Sequence, residues 1–80
     1  MKNTTLIARR LFENLSQSEF AAEIGYSQAT IGLVESGQRE PSRQLRGAIA
    51  RRFPYTDEFL SFLYDYEKMN GIIHDYTLSD

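Results

Sequence analysis

The stretch from Ser16 to Gly37, SQSEFAAEIGYSQATIGLVESG, restricts the possible folds of this chain more than any other. Ser16, with Glu19 three residues on, forms a capping box, in which each side chain satisfies the other's backbone N–H and a helix begins. Phe20, Ala21 and Ile24 then recur on one apolar face of that helix. Gly25 supplies the permissive backbone on which a helix can end. Ser27 is placed to cap a second helix, in which Ile31 and Val34 turn back into a core and which Gly37 ends. A connection of three residues sets two helices at a steep angle rather than side by side. The second helix then stands out of the body, a presentation that suits entry into a DNA major groove.

Length and composition bound the rest. Eighty residues make one small domain with a single core, marginally stable on its own. The chain has no cysteine, which removes disulfides and thiolate metal sites, and its one histidine, His74, cannot hold a metal alone. Neither a metal nor another cofactor is expected. No apolar run approaches the roughly 20 residues of a membrane span. The opening MKNTTLIARRLF has no apolar segment long enough for a signal peptide, so no membrane association and a cytoplasmic location are expected. No nucleophile–base pair, metal cluster or glycine-rich phosphate loop suggests an enzyme.

The net charge of -2 hides a division along the chain. Residues 1–52 carry eight positive and five negative charges, a balance of +3. Residues 53–80 carry one positive and six negative charges, a balance of -5. A basic front and an acidic back would orient the molecule on a polyanion. A front of +3 is nonetheless modest, and ordinary solvated charge is the competing reading.

The hydrophobic spacing predicts an all-α fold of five helices. The first runs from about Thr5 to Glu13, with Leu6, Ile7, Arg10 and Leu11 on one side and Asn14 closing it in a left-handed conformation. The second and third form the segment described above. Ser42 caps a fourth helix with Leu45, Ala48, Ile49 and Phe53 as its buried stripe, and Pro54 stops it. Thr56 caps a fifth from Asp57 to about Asn70, with two acids in its first turn and Gly71 closing it. Residues 1–71 read as one domain. Residues 72–80 read as a short C-terminal arm or tail, whether strand, packed arm or frayed end.

The segment resembles the helix-turn-helix of the phage repressor and Cro proteins, the family of the XRE-type bacterial regulators. The resemblance lies in Ser16-Gln17, Ala21 at the helix crossing, Gly25 in the turn, Ile31 and Val34 inside, and the Glu35-x-Gly37 ending. It extends to Pro41-Ser42 before an amphipathic helix and covers about residues 5 to 65. By resemblance, Arg10 stands where the family has an arginine paired with the glutamate that matches Glu35, so Arg10 and Glu35 are expected to form a structural ion pair.

On the third helix, Gln28, Ala29 and Leu33 share the outward face, with Gly32 beside them and Ser27 at its start. These five residues are the expected base contacts. A glutamine amide both donates and accepts, which suits adenine, whereas Ala29 and Leu33 can offer only apolar contact to thymine methyl groups. In family members, positions matching Gln28, Ala29 and Leu33 carry base contacts. The family commonly places two or more polar residues on this face, and here there is one glutamine. Specificity resting on methyl contacts and DNA shape is one explanation, and a face turned to a protein partner is the other. Phosphate contacts are expected from Gln17, at a helix N-terminus where backbone amides point outward, and from Arg39, Arg43 and Arg46. The residue matching Gln17 grips the DNA backbone in the family.

The fifth helix carries more apolar groups than one core face needs. Phe59, Leu63 and Tyr66 fit that face, leaving Leu60, Phe62, Tyr64 and Met69 for a homodimer interface or for a generous core. A dimer matches a two-fold operator with half-sites about one DNA turn apart. Together these features imply a small DNA-binding transcriptional regulator, a repressor by resemblance, whose partners are a double-stranded DNA operator and a second copy of itself. By the same resemblance it would respond through its own concentration. The rival is a protein-interaction module, such as an antitoxin or adaptor, that uses the same fold.

Overall fold

The computed structural model describes the backbone of residues 1–79 and the side chains of residues 1–70. Five helices follow one another: α1 (Asn3–Phe12), α2 (Gln17–Ile24), α3 (Gln28–Glu35), α4 (Arg43–Arg52) and α5 (Asp57–Ser79). No strand occurs among the described residues.

Local chemistry accounts for most helix boundaries. The Ser16 hydroxyl accepts from the Glu19 N–H at 3.1 Å while the Glu19 carboxylate accepts from the Ser16 N–H at 2.8 Å, completing the capping box. The Ser27, Ser42 and Thr56 hydroxyls accept from the backbone N–H three residues on, starting α3, α4 and α5. Gly25 ends α2 at φ 77°, and the Tyr26 N–H reaches back to the Ala21 carbonyl at 2.9 Å. Asn14 follows α1 in the left-handed region at φ 59°. Serial burial of Phe20, Ala21, Ile31, Val34, Leu45, Ile49 and Phe53 seals α2, α3 and α4 over Leu6 of α1. Phe20 stacks on Phe53 with ring centroids 5.4 Å apart.

Three expectations are corrected. The buried residues of α1 are Leu6, Ala8 and Arg9, whereas Leu11 is exposed. The helix lies between α3 and α5 and is covered on two sides, which a single apolar stripe does not describe. Phe62, expected on the outer face of α5, instead packs against Phe12 with centroids 5.4 Å apart and stacks on Tyr66. It lies one turn beyond the fully buried Phe59, so the helical repeat carries its ring to the α1 side.

The third correction concerns Gly71, which does not close α5: the helix continues to Ser79. A glycine inside a helix costs only about 1 kcal/mol relative to alanine, and no proline follows to block the next turn. The arm expected over residues 72–80 is therefore helical as far as Ser79. Asp80, and the side chains of residues 71–79, including His74, lie outside the described residues.

Candidate nucleic-acid interface

Arg10 and Glu35 join α1 to α3. The Arg10 Nε donates to Glu35 Oε2 at 2.6 Å, and Nη2 donates to Oε1 at 3.0 Å, so the planar fork meets both carboxylate oxygens. The remaining Arg10 Nη1 donates to the Leu15 carbonyl at 3.0 Å. Hydrogen bonding to Glu35 raises the guanidinium pKa further, so the cation persists at any pH at which the protein would be handled. Asn3 adds a bond from its Nδ2 to the Glu35 carbonyl at 3.1 Å.

The network continues outward. Gln17 Nε2 donates to Glu35 Oε1 at 3.0 Å, and Gln28 Nε2 donates to Gln17 Oε1 at 2.8 Å. Chemistry fixes both amides in this orientation. A carboxylate accepts only, so Gln17 must turn its NH₂ toward Glu35 and its oxygen toward Gln28. Gln28 must then donate to it. One N–H and the carbonyl oxygen of Gln28 remain uncommitted on an exposed side chain at the start of α3.

Around Gln28, Ala29 is exposed and Gly32 and Leu33 are half-buried. Leu33 is less open than an outward position implies. Its carbonyl accepts from the N–H groups of Gln38 and Arg39, at 3.0 and 3.2 Å, so the loop after α3 folds back over that end. A Cβ at Gly32 would meet only Gln17 Oε1, at an ordinary 3.6 Å, so the face is open here. The Ser27 hydroxyl is committed to the cap and to Thr30 Oγ1 at 2.9 Å, which makes its visible role structural.

Arg39 lines a surface cleft with Tyr26, Thr30 and Val34, and Arg43 is exposed in the first turn of α4. Arg46 is exposed one turn after Arg43 and borders an apolar cleft lined by Met1, Ile49, Ala50, Phe53 and Tyr55. At the start of α2 the capping box uses the Ser16 and Glu19 amides, leaving those of Gln17 and Ser18 pointing outward. On α5, Leu60, Tyr64 and Met69 are 46%, 66% and 62% exposed.

The Gln17–Gln28 bond had no sequence signal. It joins residues on two helices, and contact depends on the angle between them. The burial of Arg9 has no sequence signal either, because an arginine reads in sequence as surface charge.

Two short helices joined through Gly25 and Ser27, the second sealed behind and open along its first turn, define a helix-turn-helix DNA-binding domain. A family model described as Helix-turn-helix matches residues 6–60, more than half of the chain, and the chain belongs to that family, in its XRE type. Neither the curated proteins nor the solved structures gave a match. The protein is thus a DNA-binding transcription regulator in general terms, of a regulatory rather than an enzymatic family. Among the described residues no helix is long and apolar enough to cross a membrane.

Proposed function

We propose that the protein is a cytoplasmic transcriptional repressor that binds a specific double-stranded DNA operator as a homodimer, with α3 in the major groove. The observation that carries this reading is the hydrogen-bonded chain from Arg10 through Glu35 and Gln17 to Gln28. It leaves Gln28 with one N–H for adenine N7 and one oxygen for adenine N6–H, the pair that a bidentate amide contact needs. Holding the amide beforehand reduces the rotamer entropy lost on binding.

Ala29 and Leu33 supply apolar contact to thymine methyl groups, and Gly32 lets the helix backbone approach the base edges. Gln17 and the free amides of the first turn of α2 take a phosphate, with Arg39, Arg43 and Arg46 on the flanks. The basic balance of residues 1–52 turns this side to DNA. The second copy docks on the outer face of α5 through Leu60, Tyr64 and Met69. Leu60 and Tyr64 stand one turn apart on one face, with the exposed Met69 further along and about half a turn round, and all three lie on one element, which a two-fold axis can pair with itself. A different protein partner would use the same patch, and the oligomeric state of purified protein separates the two.

The test is binding of purified protein to a random duplex library and to the DNA upstream of its own gene, at two salt concentrations. Sequence-selective binding that weakens steeply with salt is expected. Gln28→Ala should lose about 1–3 kcal/mol of discrimination at one base pair and leave the others unchanged. No binding to any duplex at low salt would remove the operator reading and put the protein-partner reading first.

A further inference from the structure

Consecutive arginines leave α1 in different directions. Arg10 joins the α3 network, while Arg9 is only 2% exposed and sits under α5. Its guanidinium carbon lies 3.5 Å from the centroid of the Phe59 ring, with Tyr55, Phe53 and Phe12 at 5.7, 5.9 and 6.0 Å. Nη1 donates to Glu13 at 2.9 Å and Nη2 to the Pro54 carbonyl at 3.2 Å, while Nε is buried without a partner. One side chain therefore ties α1 to the end of α4, to the connection that follows it and to the first turn of α5.

Closing a core here would need only an apolar residue, and burying a cation is costly by comparison. A flat guanidinium adds direction. It stacks on Phe59 from one side and hydrogen-bonds the chain at Pro54 from its edge, so it holds the start of α5 in orientation as well as in contact. Tyr55 stacks on the same Phe59 ring with centroids 5.5 Å apart. The body meets α5 chiefly through α1, and the neighbouring Arg10 ties that helix to the base-reading network.

We propose that Arg9 is a positioning residue that sets the angle at which α5 leaves the body, and through it the separation of the two DNA half-sites that a dimer accepts. The proposal rests on the dimeric DNA-binding reading above. The lever is short but sufficient. Met69 stands about 15 Å along the axis from Phe59, so a tilt of about 10° shifts it by ~3 Å, close to the rise of one base pair.

The experiment uses duplexes carrying two copies of the half-site the wild-type protein selects, with their separation varied one base pair at a time. Wild type should bind one separation at least about tenfold more tightly than its neighbours. In Arg9→Met that advantage should fall below about threefold, while affinity for a single half-site stays within about twofold. Tyr55→Ala removes one exposed wall of the seat without stranding a charge, and should flatten the preference in the same direction. It decides the matter alone if Arg9→Met fails to fold. Folded variants that keep the full preference overturn the role of Arg9 and leave the dimer intact. A wild-type protein with no preferred separation overturns the dimeric reading and this proposal with it.

Discussion

At the scale of single residues, Glu35 joins a structural pair to the proposed recognition surface. Its carboxylate is almost enclosed and receives Arg10 on both oxygens and Gln17 on one, whereas the Glu23–Arg52 pair lies open to water. Glu35→Gln should cost about 3–5 kcal/mol, because it leaves a largely buried guanidinium facing an amide. Glu23→Gln should cost less than about 1 kcal/mol. Urea midpoints of the two variants check this, and equal midpoints would remove the structural importance of the Arg10 pair. Glu35→Gln should also blunt base discrimination, since Gln17 would no longer have a fixed reason to offer its oxygen to Gln28. The Arg10–Glu35 pair was legible from the sequence through its resemblance to known repressors. The Gln17–Gln28 bond was not, because it spans 11 residues across a turn whose angle the residues alone do not specify.

At the scale of elements, helix starts were easier to read than helix ends. A capping side chain acts on an amide three residues away, so Ser16, Ser27, Ser42 and Thr56 announce their helices locally. A stop depends on whether continuing is worse than ending. Gly25 stops α2 because a third helix must turn away there, whereas Gly71 is carried through α5. Gly25→Ala should lower stability by about 1–2 kcal/mol, entirely through the backbone. Its φ is +77° and an added Cβ would meet nothing within 4 Å. Gly25→Asn should cost less, since asparagine tolerates the left-handed region better. Thermal melts of the two variants check this, and equal losses would point to a packing cause.

For the molecule as a whole, the division of charge and the outer face of α5 bear on assembly. Leu60, Tyr64 and Met69 lie beyond what the core uses, beside Asp57 and Asp65, on the acidic half of the chain. Tyr64→Asp adds a charge beside Leu60 on that exposed side without touching the core. It should be monomeric in sedimentation at concentrations where wild type is dimeric. Operator affinity should fall at least about tenfold, with single half-site affinity and helix content unchanged. A variant that stays dimeric would move the interface elsewhere.

The residue order alone settled the helix-turn-helix, its caps, its left-handed turns and the apolar groups that close the core around Phe20, Ile31, Val34, Leu45 and Phe53. These rest on interactions spanning a few residues or on a repeat that the chain displays directly. Three features required the folded chain: the aromatic seat of Arg9, the turn of Phe62 toward Phe12, and the bond that aims Gln28. Each joins side chains from different helices. The angle and distance between those helices come from packing, which no single stretch of sequence contains.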